Sequence, residues 1–508
     1  METSTNPTAR ADADPSVDPF TGTIAGVVEH STPDQVDRVV SAARSVAAEL
    51  AATAPAIRRR WIEAVVASLL EHRQELAELA QSETALGMDR LRGEVGKACD
   101  NASFYGLVAV DGAFIDASTE TIADGSRLSR WNEPLGPIAV FGASNFPFAY
   151  GSFGHDAASA IAAGCPVVVK SHPAQPRLAS RLSELVVEAL AASGAPTGTY
   201  GSVVGFDAGL RLVDSPAIRA VGFTGSQAGG MALVERGSRR GIPVFAEMGT
   251  VNPVLVTPDA APLRDSIANG FVASFTLGAG QYCTKPGLLL VPAGVGFPDA
   301  VRLALSHVGQ QTLLTRRIAD AYLAGSSRLA SAASGVPPEP GGPDGTSDAG
   351  FTVTPRLVEV TLDQLSAGSP LLDECFGPVA LICEYDDLDS ALEAVTHLQP
   401  SLAASVFAAS ESGDTTLRAV RTLLPQVGRV AVNAWPTGVL ASWSQQHGGP
   451  WPATSRSDAT SVGAGALRRF VRPVAIQNGD IGALSPALAA DNPWHIPRRI
   501  DGRSIPAA

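Results

Sequence analysis

The chain reads as an α/β fold of two large domains, and three observations carry that reading. From residue 137 onward, short apolar runs of strand character alternate with helix-forming segments, the pattern of a parallel sheet covered on both faces. The 508 residues, 45% hydrophobic and 17% charged, suffice to bury more than one core. A second alternating region begins near residue 249, and its Gly/Pro-rich stretch at residues 334–350 has the composition of a surface loop.

Residues 32–85 are expected to be helical. Thr32-Pro33-Asp34-Gln35 is a capping-box pattern with Pro at N1, and Val36, Val39, Val40 and Ala43 follow at helical spacing. A further amphipathic helix carries Trp61, Val65 and Leu69 toward a sheet. Next come PIAVFGASNFP (strand into turn), HDAASAIAAGC (helix), PVVVK (strand) and SRLSELVVEALAASG (helix). TYGSVVG and AIRAVGFTG are strands, SQAGGMALVERGSRRG a helix and PVFAEMG a strand. The second region places Cys283 near a helix-to-strand junction and ends near VAVNAWPTG. From residue 466 a strand-like FVRPVAIQ leads into a polar tail, expected to pack on a neighbouring domain or a second subunit. No internal repeat is visible.

Net charge is -13 and the pI is near 5.1, which disfavours a nucleic-acid partner because phosphates would be repelled. The N-terminus lacks the apolar region of a signal peptide, and no apolar run reaches membrane-spanning length, so no membrane partner is expected. The five cysteines show no CxxC spacing, which fits neither a disulfide framework nor a metal site; a reducing cytoplasm is the expected location. Lysine occurs only at 97, 170 and 285, so a lysine at a motif position is a pointed choice.

Several stretches carry chemistry. In GAGQYCTKPG, Cys283 reads either as an inert packed thiol or as a nucleophile; Gly278 and Gly280 permit close backbone approach, and Lys285 is near. Glu247 follows a buried strand in FAEMGTVNP and is either a salt-bridged structural group or a tuned base. Asn145 in FGASNFPF is a turn residue or an oxyanion donor. Gly225, Ser226 and Gly230 stand between a strand and a helix, where an anion can meet a helix N-terminus. Lys170, followed by Ser171, ends the strand PVVVK at a carboxyl edge, where open α/β sheets bind ligands.

Taken in order, Asn145, Lys170-Ser171, FTGS, EMGTVNP, GQYCT and DECFGP resemble the aldehyde dehydrogenase superfamily over nearly the whole chain. VFGASNFPFA, AAGCPVVVKSHPAQP and QHGGPWPATSRSDATSVG look like its bacterial NADP-type branch, which includes α-ketoglutarate semialdehyde and fatty aldehyde dehydrogenases. Two departures from the wider family fit that branch. Ser144 replaces a tryptophan before Asn145, and His447-Gly448-Gly449 replaces a phenylalanine-glycine-glycine turn.

The resemblance implies an aldehyde dehydrogenase-like fold: a Rossmann-type cofactor domain (residues 1–120 and 137–248), an α/β catalytic domain (249–465), and a small β oligomerisation element (121–136 with 466–508). It implies attack by Cys283 on an aldehyde, an oxyanion held by Asn145 and the Cys283 N–H, and thioester hydrolysis with Glu247 as base. Lys170, Ser171, Gly225, Ser226, Gly230, Glu374, Phe376 and, as a further partner, Arg211 would hold the cofactor. NADP is favoured over NAD, because Pro173 stands where NAD-preferring members often place a carboxylate. Phe146, Phe153 and Trp435 would line the substrate tunnel, and Arg456 would meet a substrate carboxylate. The expected substrate is α-ketoglutarate semialdehyde; a medium- or long-chain fatty aldehyde is the alternative, with a CoA-acylating enzyme or a non-catalytic relative behind it. A homodimer or homotetramer is implied.

Overall fold

The computed structural model describes residues 12–335, 350–366, 368–479 and 485–507. The predicted capping box forms: Gln35 N–H donates to Thr32 Oγ1 at 3.3 Å, and Gln35 Oε1 accepts from the Thr32 N–H at 2.7 Å. It opens the first helix, Pro33–Ala52. The expected helical region is three helices, the others being Pro55–Glu71 and Arg73–Thr84; Pro55 cannot continue the preceding hydrogen-bond ladder and restarts it. Trp61, Val65 and Leu69 are buried, in a core shared with the helix Met88–Asp111 rather than directly on a sheet.

The first sheet is wholly parallel. Its strands lie in the order Tyr200–Val203, Val167–Lys170, Ile138–Phe141, Ala220–Gly225, Val244–Met248. Their apolar residues are buried on both faces, as parallel sheets require. His155–Ala163 and Pro176–Ala192 cover one face; Pro33–Ala52, Phe206–Asp214 and Gln227–Ser238 cover the other.

The second sheet has six parallel strands in the order Arg356–Val360, Val379–Tyr385, Leu288–Pro292, Pro253–Val256, Ser401–Phe407, Val427–Val432. The predicted Gly/Pro loop falls mostly at residues 336–349, outside the described residues.

The third sheet is mixed: Val471–Gln477, Arg127–Pro134, Ala117–Thr121, Arg498–Ile500, Arg503–Ile505. Its hairpin starts at Ala117, earlier than the expected 121. The tail strand Val471–Gln477 pairs with Arg127–Pro134 of its own chain. The chain also departs from the expected boundary at 465. After the second sheet it returns to the edge of the first, where Met248 N–H donates to Ala453 O at 2.9 Å and Ser455 N–H to Ala246 O at 3.0 Å. This return carries residues 447–461 up to Glu247.

Candidate active site

Cys283 stands in the turn between the helix Arg264–Thr276 and the strand Leu288–Pro292. Gly278, Ala279 and Gly280 all have positive φ (56°, 59°, 66°), and a Cβ on Gly280 would lie 2.3 Å from the Gly377 carbonyl. Glycine is therefore required at 280 for the turn to rest on the loop that carries Glu374. Asn252, fully buried, donates through Nδ2 to Cys283 O at 2.8 Å and Lys285 O at 3.0 Å, fixing the nucleophile loop from below. Lys285 does not face the thiol. Its buried ammonium donates to the carbonyls of Cys375, Gly377 and Val379 at 2.8, 2.9 and 2.8 Å.

The return segment supplies a group that the sequence reading gave no role. His447 Nε2 lies 3.8 Å from Cys283 Sγ, and its Nδ1 lies 2.9 Å from Glu247 Oε1. The other Glu247 oxygen accepts a hydrogen bond from Ser461 Oγ. Burial alone would lower the His447 pKa; the negative charges of Glu247 and Cys283 outweigh it and push it up to about 10. His447 is thus an imidazolium between a thiol and a carboxylate. The three donor atoms lie within 4.8 Å of one another, and two of the three residues are buried. The signal for His447 was its place in the sequence: an ionisable residue where the resemblance leads one to expect phenylalanine.

Asn145 is buried and donates to Gln281 O at 2.8 Å, which brings its amide beside the cysteine loop. Among the described residues the Cys283 N–H has no acceptor. Arg90 positions Asn145: its Nη2 donates to Asn145 O at 2.6 Å, and its guanidinium lies 5.1 Å from the Phe146 ring and 5.0 Å from the Tyr282 ring. Phe146 packs with Ala143, Ala149, Tyr150, Val439, Ala441 and Val462 in an apolar cluster beside His447.

A cleft of 760 Å³ opens at the carboxyl edge of the first sheet. Lys170, His172, Pro173, Gly225, Ser226, Arg236, Arg316 and Arg317 are among its lining residues, and among the described residues no carboxylate lines it. Ser226 caps the helix Gln227–Ser238, its Oγ accepting from the Gly229 N–H at 3.2 Å, so the helix N-terminus faces the cleft. Burial lowers the Lys170 pKa, and with Lys170 and Arg317 it drops that of His172 to about 3. Glu374 lies against Gly249, whose N–H donates to Gly225 O at 3.2 Å; its Oε1 is buried without a partner, and burial pushes its pKa up to about 7. Phe376 is half-buried in the same Lys285-held loop.

Other sequence candidates lie elsewhere. Arg211 forms a bidentate pair with Asp37 on the exposed helix surface and does not line the cleft. Arg456 pairs with Asp458 at 2.9 Å and covers the Phe245 ring, on a different surface groove. Phe153 packs in the core against Tyr200, and Trp435 packs on Phe407 and Phe271, so neither joins the cluster around Phe146. Gly230 lies under Met248, where a Cβ would meet the Met248 sulfur at 2.6 Å; it lets the helix pack on its strand. Ser171 is buried, its N–H donating to Val203 O at 2.8 Å. Among the described residues no helix is long and apolar enough to cross a membrane.

The sequence pattern of the aldehyde dehydrogenase family matches residues 8–451, and the chain belongs to that family. It is 38% identical to "Alpha-ketoglutaric semialdehyde dehydrogenase 2" of Azospirillum brasilense, over 97% of this chain and 95% of that protein. It is 35% identical to the alpha-ketoglutaric semialdehyde dehydrogenase of Acinetobacter baylyi, over 93% and 92%. Among solved structures it superposes on an NAD-dependent aldehyde dehydrogenase from Sinorhizobium meliloti with a TM-score of 0.78 at 25% identity, covering 92% and 91% of the two chains.

Proposed function

We propose that this member of the aldehyde dehydrogenase family oxidises α-ketoglutarate semialdehyde to 2-oxoglutarate with NADP. The observation that carries the chemistry is the line Cys283–His447–Glu247, with Asn145 beside it. Cys283 attacks the aldehyde carbon, and the oxygen that becomes negative is held by the Asn145 amide and the Cys283 N–H. One such donor is worth about 3 kcal/mol in a transition state. A nicotinamide dinucleotide supplies the hydride acceptor. What remains on the enzyme is a Cys283 thioester, which water must hydrolyse. The charges of Glu247 and Cys283 favour the protonated form of His447, which suits it to donate a proton in that step rather than to take one. It donates to the sulfur, first favouring thiolate for attack and then helping it leave. The proton of the hydrolytic water goes to Glu247, which Ser461 and His447 hold in place.

The cleft fits the dinucleotide: a helix N-terminus faces it for phosphate, and outside its lining, against the Gly249 that bonds Gly225, Glu374 Oε1 is buried with no partner among the described residues and can accept from ribose hydroxyls. Lys170 and the absence of lining carboxylates favour a 2′-phosphate, and hence NADP. The two semialdehyde dehydrogenase relatives support the substrate. A fatty aldehyde is the competing class. The mixed third sheet, with Val471–Gln477 at one edge, is the element we assign to assembly as a homodimer or homotetramer.

The test follows reduced cofactor on mixing the enzyme with NADP or NAD and either α-ketoglutarate semialdehyde or hexanal. The reading expects the highest kcat/KM with the semialdehyde and NADP. A higher value for hexanal would reverse the substrate assignment, and no turnover of either aldehyde would sink the dehydrogenase reading.

A further inference from the structure

The apolar cluster beside His447 contains one polar atom with no use in the chemistry above. The Tyr150 hydroxyl is buried and, among the described residues, has no hydrogen-bond partner. The ring lies 6.2 Å from His447, 5.8 Å from Phe146 and 4.7 Å from His155, centroid to centroid. A buried phenol left unpaired destabilises the fold, so a native one calls for an explanation. Burial raises its pKa well above the ordinary value, and Glu247 and Cys283 add to the rise, so it is a neutral donor throughout the working range.

A cation is tied to a turn that leads into the same cluster. Arg429, on the edge strand Val427–Val432, donates through Nη2 to the carbonyls of Pro436 and Gly438. That turn runs directly into Val439 and Ala441, which pack on Phe146 and Tyr150. Burial lowers the Arg429 pKa, and the charge of Cys283 opposes that fall. A neutral hydroxyl thus lies in the apolar cluster beside His447, and a guanidinium is held on the turn that leads into that cluster.

We propose that Tyr150 and Arg429 form the subsite that takes the oxygen-rich end of the substrate, Arg429 facing its carboxylate and Tyr150 donating to its 2-oxo or carboxylate oxygen. A hydrocarbon-chain aldehyde there gives the Tyr150 hydroxyl no acceptor and the Arg429 charge no counter-ion, which is how a polar pocket rejects an apolar analogue. Arg456, tied to Asp458 on another surface, does not fill this role. Arg90 is the competing cation: its Nη2 is on the Asn145 carbonyl, while its Nη1, over Gly278, is buried with no partner among the described residues.

The inference rests on the α-ketoglutarate semialdehyde reading, and the experiment separates the two. The ratio of kcat/KM for α-ketoglutarate semialdehyde to that for pentanal, a hydrocarbon of equal carbon number, is measured for wild type, Tyr150→Phe, Arg429→Gln, Arg429→Lys and Arg90→Gln. Competitive inhibition by 2-oxoglutarate is measured alongside as a readout independent of turnover. The ratio should fall at least about tenfold in Tyr150→Phe and in Arg429→Gln, with a matching rise in the 2-oxoglutarate inhibition constant. Arg429→Lys keeps the charge and should recover part of both, which also covers the case in which Arg429→Gln fails to fold. Arg90→Gln, which loosens Asn145, should slow both aldehydes alike. A wild-type enzyme that prefers pentanal overturns the substrate reading. A wild-type preference for the semialdehyde that survives Tyr150→Phe or the Arg429 variants overturns that residue's assignment, and a ratio that moves in Arg90→Gln instead transfers the role to Arg90.

Discussion

Replacing His447 with glutamine tests the centre of the site. The imidazolium bridges Cys283 and Glu247, and its pKa rises from 6.5 to about 10. At about 1.4 kcal/mol per unit, that shift corresponds to roughly 5 kcal/mol of interaction favouring the charged form. The folded-state pKa is raised, so the stabilisation is fully present below 6.5 and is lost as pH rises through about 10. At neutral pH about 4 kcal/mol of it should remain, comparable to the roughly 3–5 kcal/mol cost of breaking a buried ion pair. The urea midpoint of wild type should therefore decline between about pH 6.5 and pH 10 with a component that His447→Gln lacks. Turnover should fall by about 10²–10⁴, the range for loss of a positioned proton donor. A glutamine variant with wild-type turnover, or with the same alkaline loss of stability as wild type, would refute the ion-pair account.

Three further outcomes are expected. Lys285→Met strands three buried carbonyls and should cost at least about 3 kcal/mol in unfolding experiments, with slower alkylation of Cys283 as its loop loosens. Glu374→Gln removes a buried carboxyl whose pKa is pushed up to about 7; a raised carboxyl is a penalty above that pH, so the variant should be more stable than wild type in mild alkali and equal to it in acid, yet bind NADP more weakly in equilibrium titration. Zinc at low micromolar concentration should inhibit, and a chelator should restore activity, because Glu247, Cys283 and His447 place three donor atoms within 4.8 Å; resistance to zinc would mean those atoms do not converge in solution.

Much of this architecture was legible in the chain because its signals are local. The capping box at Thr32, each apolar strand or helical run, and each of the motifs around Asn145, Glu247 and Cys283 is contained within a short stretch of chain. What escaped is long-range. His447 meets Cys283 across 164 residues, and Ser461 meets Glu247 across 214. The same distance explains the misplaced arginines. Arg211 is tied to Asp37, 174 residues away, a partner that no neighbouring sequence announces. Arg456 stood near the right turn but on its solvent side, where Asp458 takes it. Alternation along a strand marks which face a residue uses, but the loops carry no such period, and Asn145, Cys283, His447 and Ser461 all lie in loops.

The Cys283 turn shows why its glycines and the rare lysine belong to one device. A residue run with positive φ at 278, 279 and 280 is costly unless its surroundings fix it. Asn252 bonds the carbonyls that follow it, Gly280 lets it touch Gly377, and Lys285 draws the Gly377 loop onto it through three carbonyls. The charge of Lys285 is buried, and its desolvation lowers its pKa; it is tolerated because all three ammonium protons have acceptors. The loop so held is the one that carries Glu374, beside the cofactor cleft. Lys285 therefore ties the Cys283 turn to the Glu374 loop mechanically, and His447 is the group that faces the sulfur.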